Sequence, residues 1–244
     1  MPRFYIPSPT IVDGRVRIDG DLFHHAVRVR RAGPGEIVEY TTAHGDAYRA
    51  AIVEISADSA LLEIIDKIDT RFSCVNIVAA VALLKGKKFD LVVQKAVEAG
   101  VAGIQPMITE RSIPRLEDDG ESRLNRWRRI AAEAAQQCQR GTPPPVFAIR
   151  DFHEVIAGFA ESVRMIAHLD PRARDLKEFL RSRPTSVDDG RAGTVLIGPE
   201  GGFSERECAA ARDAGWEAVI LGGTQMRAET AAIVLPAILI YEWS

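Results

Sequence analysis

From about residue 74 the chain alternates short apolar runs with longer stretches in which apolar positions return every three or four residues. NIVAAVALL (76–84), GIQPMI (103–108), VFAI (146–149), RMIAHL (164–169), TVLIG (194–198) and AVILG (218–222) have the length and branching of buried strands. KKFDLVVQKAVEAG, ESRLNRWRRIAAEAAQQCQR, DFHEVIAGFA, SERECAAARDAG and AETAAIVLPAILIYEW carry the helical period between and after them. In the second of these, Leu124, Trp127, Ile130, Ala131, Ala134, Ala135 and Cys138 share one face. This predicts an α/β fold, a largely parallel sheet covered by helices. The first seventy residues read differently. RFYI (3–6), EIVEYTT (36–42), AYRAAIVEIS (47–56) and SALLEIID (59–66) are strand candidates around one predicted helix, DGDLFHHAVRVRRAG (19–33), which suggests a small barrel-like domain. GTPPPV (141–146) reads as a stiff connector and RSRPTSVDDGRAG (181–193) as a polar loop.

Composition narrows the class. The chain has 244 residues, 46% hydrophobic, enough for one large or two modest cores. Its three cysteines are widely spaced, so neither a disulfide framework nor a structural zinc site is expected, and His24 and His25 lack the companions of a metal site. No run reaches membrane-spanning length and no signal peptide opens the sequence, so a cytoplasmic protein is expected. The net charge of −3 hides a basic middle, where residues 71–141 hold 12 Lys and Arg against 8 Asp and Glu. Such a distribution fits local contacts to a polyanion and argues against a general nucleic-acid coat.

Two junctions carry the candidate chemistry. TVLIGPEGGFSERE (194–207) and VILGGTQMRAETAA (219–232) each run from an apolar strand through glycines into a helix. Ligands of open parallel sheets bind beyond such strand ends. In the first, Ser204 and Glu207 have the spacing of a capping box. Neither a Walker loop nor a dinucleotide fingerprint is present, and Glu200 would repel a phosphate, so a neutral or cationic ligand suits the turn better. In the second, Arg227 stands where a helix dipole disfavours a cation. It is either a surface arginine paired with Glu229 or Glu200, or a residue with work beyond helix stability.

Together the two stretches closely resemble the paired C-terminal signatures of the RsmE-type 16S rRNA uridine-N3 methyltransferases, a branch of the SPOUT superfamily. FYI, HHAVRVRRAGPGE and LLKGKKFDLVVQKAVEAGVAGIQPMITERS extend the likeness over nearly the whole chain. The resemblance implies a PUA-like RNA-binding β-barrel over 1–72 and a SPOUT methyltransferase domain over 73–244 whose C-terminal part forms a trefoil knot. It implies a homodimer acting on 16S rRNA of the 30S subunit, in the helix 44 decoding region. It also implies S-adenosyl-L-methionine as cofactor, wrapped by loops that map onto His168, Leu169, Leu196, Ile197, Gly198, Glu200, Gly201, Leu221, Gly222, Met226, Arg227 and Thr230. Arg227 is the first catalytic candidate, as a stabiliser of charge on the uracil carbonyls or as a residue that orients the target nucleotide, and Glu200 the second, in a polar or acid–base role.

For RNA, Arg28, Arg30 and Arg31 at the end of the predicted N-terminal helix are candidates, although a helix C-terminus favours cations for its own sake. Lys85, Lys87 and Lys88 crowd a helix start, where anions are welcome, and are read as phosphate ligands. Arg123, Arg126, Arg128 and Arg129 follow a loop that also holds Arg111 and Arg115 and are read as solubilising their helix, and Trp127 as core. Pro236 is expected to bend the last helix. Two other classes stay open: another SPOUT enzyme acting on tRNA or a ribose hydroxyl, and a non-catalytic RNA-binding protein, which would have no use for paired cofactor loops.

Overall fold

The computed structural model describes all residues except 1, 2, 7, 8, 43–45, 69–74, 113–119, 139, 141, 160–162, 171, 183–191, 223, 224 and 244. The chain divides into two compact units, Met1–Phe72 with Ala135–Pro143, and Ser73–Ala134 with Pro144–Ser244.

The first unit holds β1 (Arg3–Tyr5), β2 (Ile11–Val12), β3 (Arg15–Asp19), α1 (Gly20–Phe23), β4 (Ile37–Thr41), β5 (Ala47–Ile55) and β6 (Ser59–Ile68). They form one sheet in the order β1-β4-β5-β6-β3-β2, antiparallel except for the β1–β4 pair. Phe4 of β1 and Val16 and Ile18 of β3 stand far apart in that order yet share one buried cluster with Tyr40, Ile52 and Leu62. The sheet therefore curls around a single core. β2 has only two residues and carries no period of its own, whereas RVRID of β3 shows the alternation of a half-buried strand, with Val16 and Ile18 turned to the core. The predicted helix over 19–33 is shorter and less regular: after α1 the backbone continues as a π-helical run, His24–Val29. Its wider turn accompanies the burial of Ala26 and Val27 against the core.

The second unit holds β7 (Asn76–Ala82), α2 (Lys88–Glu98), β8 (Gly103–Ile108), α3 (Gly120–Gln137, to Ala134 in this unit), β9 (Arg150–Asp151), α4 (Phe152–Gly158), β10 (Val163–Ala167), β11 (Arg174–Asp175), α5 (Leu176–Arg181), β12 (Ala192–Ile197), α6 (Glu205–Asp213), β13 (Glu217–Ile220) and α7 (Ala228–Trp243). Its seven strands are all parallel, ordered β11-β13-β10-β12-β7-β8-β9. The central strands are covered on both faces, which is why β7 and β12 read as continuous apolar runs. VFAI (146–149) is not a strand; only Val146 bridges to Ile104, and the strand that pairs with β8 is the following Arg150–Asp151. Trp127 is core, its ring 4.2 Å from Phe89 and its Nε1 donating to Asp90 Oδ1 at 3.2 Å. α7 runs without a break through the buried Pro236.

Three adjacent strands end at one level. Ala167 of β10 pairs in register with Ile197 of β12 on one side and Val219 of β13 on the other. The loops leaving these strands therefore emerge side by side, and the starts of α2 and α7 come to the same rim.

Candidate functional site

Those three loops enclose a cavity of about 600 Å³, within the usual range for small-molecule sites. Of the predicted cofactor positions, His168, Leu169, Ile197, Gly198, Glu200, Gly201, Leu221, Met226 and Arg227 line it. Leu196, Gly222 and Thr230 do not. Leu196 points the other way along β12 and is fully buried in the core with Phe203 and Trp216, as the period of two requires of a neighbour of Ile197. Gly222 and Thr230 are exposed beside the cavity.

The first junction is held by its own side chains. Ser204 and Glu207 form the predicted capping box: Ser204 N donates to Glu207 Oε2 at 2.8 Å and Glu207 N to Ser204 Oγ at 3.2 Å. Glu207 is buried, and its other oxygen accepts from Glu110 N at 2.9 Å. Arg111 clamps the turn from outside, Nη1 donating to the carbonyls of Gly201 at 2.8 Å and Phe203 at 3.3 Å. Gly202 has φ +68°, where a Cβ is strained, and a Cβ on Gly198 would lie 3.2 Å from the Phe203 ring. Backbone shape at this wall is thus fixed by packing and hydrogen bonds.

Charge is concentrated on one side of the cavity. Lys88 Nζ donates to Glu200 Oε1 at 2.9 Å, and Lys85 N donates to the same oxygen at 3.3 Å. Lys88 also stands 3.7 Å from Glu229 Oε2, an ion pair beyond hydrogen-bond reach. Partial burial pushes the Glu200 carboxyl up, but the hydrogen bonds from Lys88, its own N–H and Lys85, with the Lys88 charge, outweigh it and hold the carboxyl below the usual range. Lys88 is held above the usual lysine range, chiefly by the hydrogen bond to Glu200. Sequence reading placed Lys88 with the phosphate ligands; the structure engages it with two carboxylates. Of the pairings considered for Arg227, neither is made: its side chain is exposed, and among the described residues neither Glu200 nor Glu229 pairs with it.

Sequence reading missed Arg111 and Glu229 as parts of this site. Arg111 follows β8, and nothing local signals that it reaches a loop ninety residues later. Glu229 was legible as a helix-start carboxylate within the RAET motif. Of the other RNA candidates, Lys85 and Lys87 are exposed in the loop before α2. In the first unit Arg30 and Arg31 are exposed, whereas Arg28 donates to Ala57 O at 2.9 Å and lies over the Phe23 ring. Arg115 lies outside the described residues. Among the described residues no cluster of three metal-ligating side chains occurs.

A parallel α/β unit with a cavity across its strand ends is the architecture of an enzyme domain that binds a small molecule. A family of RNA methyltransferase domains matches residues 70–240, and one of RNA methyltransferase PUA domains matches residues 18–65. The ribosomal RNA small subunit methyltransferase E of Mesomycoplasma hyopneumoniae is 33% identical over 188 residues, 75% of this chain and 78% of that protein. The chain belongs to the ribosomal RNA small subunit methyltransferase E family. The crystal structure of the Neisseria gonorrhoeae member bound to S-adenosyl methionine is 32% identical and matches with a TM-score of 0.85 over 100% of this chain and 98% of that one. A putative methyltransferase from Legionella pneumophila in complex with the same cofactor is 26% identical, with a TM-score of 0.81 over 97% and 96%.

The residues of the cavity fit that cofactor. Ile197, Val219, Leu221 and Met226 offer apolar wall to an adenosine, and the glycine turn brings backbone groups close. Glu200 and Glu229 suit a ligand that carries positive charge.

Proposed function

We propose that this protein is an S-adenosyl-L-methionine-dependent methyltransferase that methylates N3 of a uridine in 16S rRNA, in the helix 44 region of the 30S subunit. The observation that carries the reading is the cavity formed where β10, β12 and β13 end, lined by both of the glycine junctions that the sequence marks as a pair. The helix 44 uridine and its N3 atom come from the family resemblance.

The bound cofactor supplies a methyl group on a sulfonium. Methylation at N3 would require the N3 proton to be lost to solvent or a base, which places negative charge on the uracil carbonyls. The protein's contribution is placement and charge. Arg227 is exposed at the rim and free of Glu200 and Glu229, so its guanidinium is available to the uracil carbonyls as they gain negative charge. Glu200 is occupied by Lys88 and held deprotonated, far from the acidity of N3–H. Its role in this reading is to position Lys88 and the turn. Leu221 and Met226 line the cavity and would help to keep water from a bound cofactor.

The RNA contacts we assign to Lys85 and Lys87 in the second unit and to Arg28, Arg30 and Arg31 in the first make binding strongly salt-dependent. The strand order, with β10 between β12 and β13, supports a threaded C-terminus of the trefoil-knot kind. A homodimer is supported by α7, which has no polar face and leaves Tyr241 80% exposed, and by the exposed Leu91 on α2, the helix packed beside it. Among the described residues no helix is long and apolar enough to cross a membrane, and a ribosomal substrate supports a cytoplasmic location.

The test is methyl transfer from labelled cofactor to 30S subunits from cells lacking the protein, followed by nucleoside mass spectrometry. 3-Methyluridine in 16S rRNA is the expected product. Label in another nucleoside or in tRNA would replace this substrate with a different one.

A further inference from the structure

Glu229 has the least satisfied side chain of the cavity wall. It sits in the first turn of α7, its side chain only 13% exposed, and its Oε2 is buried without any hydrogen-bond partner. A desolvated carboxylate oxygen without a donor is costly, and native proteins leave few of them. The nearest cation does not relieve it. Lys88 gives its hydrogen bond to Glu200 at 2.9 Å and stays 3.7 Å from Glu229. Two carboxylates therefore share one ammonium, and this side of the cavity keeps an unmet negative charge.

What remains to be supplied is a positively charged hydrogen-bond donor. The methyl donor carries two cationic centres, and they differ in this respect. A sulfonium bears no hydrogen on sulfur, so it cannot satisfy an orphaned acceptor. The α-ammonium of its amino-acid end has three N–H groups and forms charge-assisted bonds with carboxylates. Ribose hydroxyls and the adenine amino group also donate, but they bring no charge to offset the unmet one.

We infer that Glu229 is the anchor for the α-ammonium of the cofactor's amino-acid end, orienting that end at the start of α7 while Lys88 stays with Glu200. The inference rests on the methyl-donor reading above. It makes Glu229 a positioning residue, and it predicts that substrate and demethylated product are held equally by this contact, since both keep the ammonium.

Calorimetric titration of the wild-type full chain, Glu229→Gln and Glu229→Asp with three probes tests it. The probes are S-adenosylmethionine, S-adenosylhomocysteine, which lacks the sulfonium charge, and 5′-methylthioadenosine, which lacks the amino-acid end. Glu229→Gln is expected to weaken the first two by a similar factor, about 10-fold or more, the usual scale for losing a charged hydrogen bond, and to leave methylthioadenosine unchanged. Glu229→Asp, which keeps the charge, is expected to recover part of the loss. Weakening of S-adenosylmethionine alone would place Glu229 at the sulfonium and overturn the assignment. Equal weakening of all three probes would make it a structural or nucleoside contact. Unchanged affinity for all three would remove it from cofactor binding. Failure of the wild type to bind any probe would sink the methyl-donor reading itself, an outcome distinct from these.

Discussion

The two glycine junctions lie against the same cavity, yet they are built differently. The turn after β12 satisfies itself: Ser204 and Glu207 cap α6, Glu207 also takes the N–H of Glu110, and Arg111 holds two of its carbonyls. The turn after β13 leads to an exposed Arg227 and to Glu229, whose buried oxygen lacks a partner. One junction is complete without ligand and supplies shape. The other holds its charges in reserve and supplies chemistry. If that division is right, substitutions in the first should be felt in stability and substitutions in the second in binding and rate.

The largest effect should fall on the second junction and spare stability. Arg227→Ala is expected to lower single-turnover methyl transfer by roughly 10²- to 10³-fold, the scale for removing one group that stabilises developing charge, with cofactor affinity and unfolding midpoint unchanged. A normal transfer rate would return Arg227 to the role of a surface arginine. Close behind, and opposite in kind, Glu207→Ala should cost about 2 to 3 kcal/mol in urea unfolding, because it removes a cap and strands the buried N–H of Ser204. Gly202→Ala should cost about 1 to 2 kcal/mol, the penalty of a Cβ at its φ of +68°. A loss in either variant that appeared in cofactor affinity alone would dissolve the distinction between scaffold and chemistry.

Much of this division was legible in the sequence. Ser204 and Glu207 announce the cap by spacing alone, and the burial of the central strands follows from unbroken apolar runs. The paired motifs brought nine of the twelve named cofactor positions to one cavity. Where the structure adds to or departs from the sequence expectation, the causes are physical. Two-residue strands such as Arg150–Asp151 and Arg174–Asp175 are defined by their neighbours and carry no period of their own. The motif names Leu196 beside Ile197, and because a strand sends adjacent side chains to opposite faces the structure places the Leu196 side chain in the core. Lys88 looked like a phosphate ligand because its two carboxylate partners are more than a hundred residues away in sequence. Arg111 acts across a comparable gap.

The bridge between the junctions can be probed by pH. Lys88→Met should lower stability at pH 7 by removing the partner of Glu200. The Glu200 carboxyl lies below its ordinary range when folded, so its contribution is present above the unfolded value and is lost as pH falls through the folded one. Lys88 is raised, so its contribution holds below the unfolded lysine value and is lost only as pH climbs through the folded one. The stability difference between wild type and Lys88→Met should therefore be flat across neutral pH and shrink in acid. A difference that changed near pH 7 would mean that some other group governs the pair.

The smallest effect is the sharpest contrast with Glu207. Glu229→Gln in the cofactor-free protein should change unfolding stability by less than about 0.5 kcal/mol, or raise it slightly. The reason lies in what each carboxylate has in hand. The Glu207 carboxylate accepts two hydrogen bonds, from the N–H groups of Ser204 and Glu110, within a buried cap, so neutralising or shortening it removes favourable contacts. Glu229 has a buried oxygen with no donor and only a lysine at 3.7 Å. Replacing it by a neutral isostere removes a desolvated charge and a long ion pair, two terms of opposite sign and similar size. The same substitution in the presence of saturating S-adenosylmethionine should then lower the unfolding midpoint relative to wild type, because ligand stabilisation follows affinity. A Glu229→Gln protein that was markedly destabilised without ligand would show that Glu229, like Glu207, belongs to the scaffold, and the two junctions would no longer differ in kind.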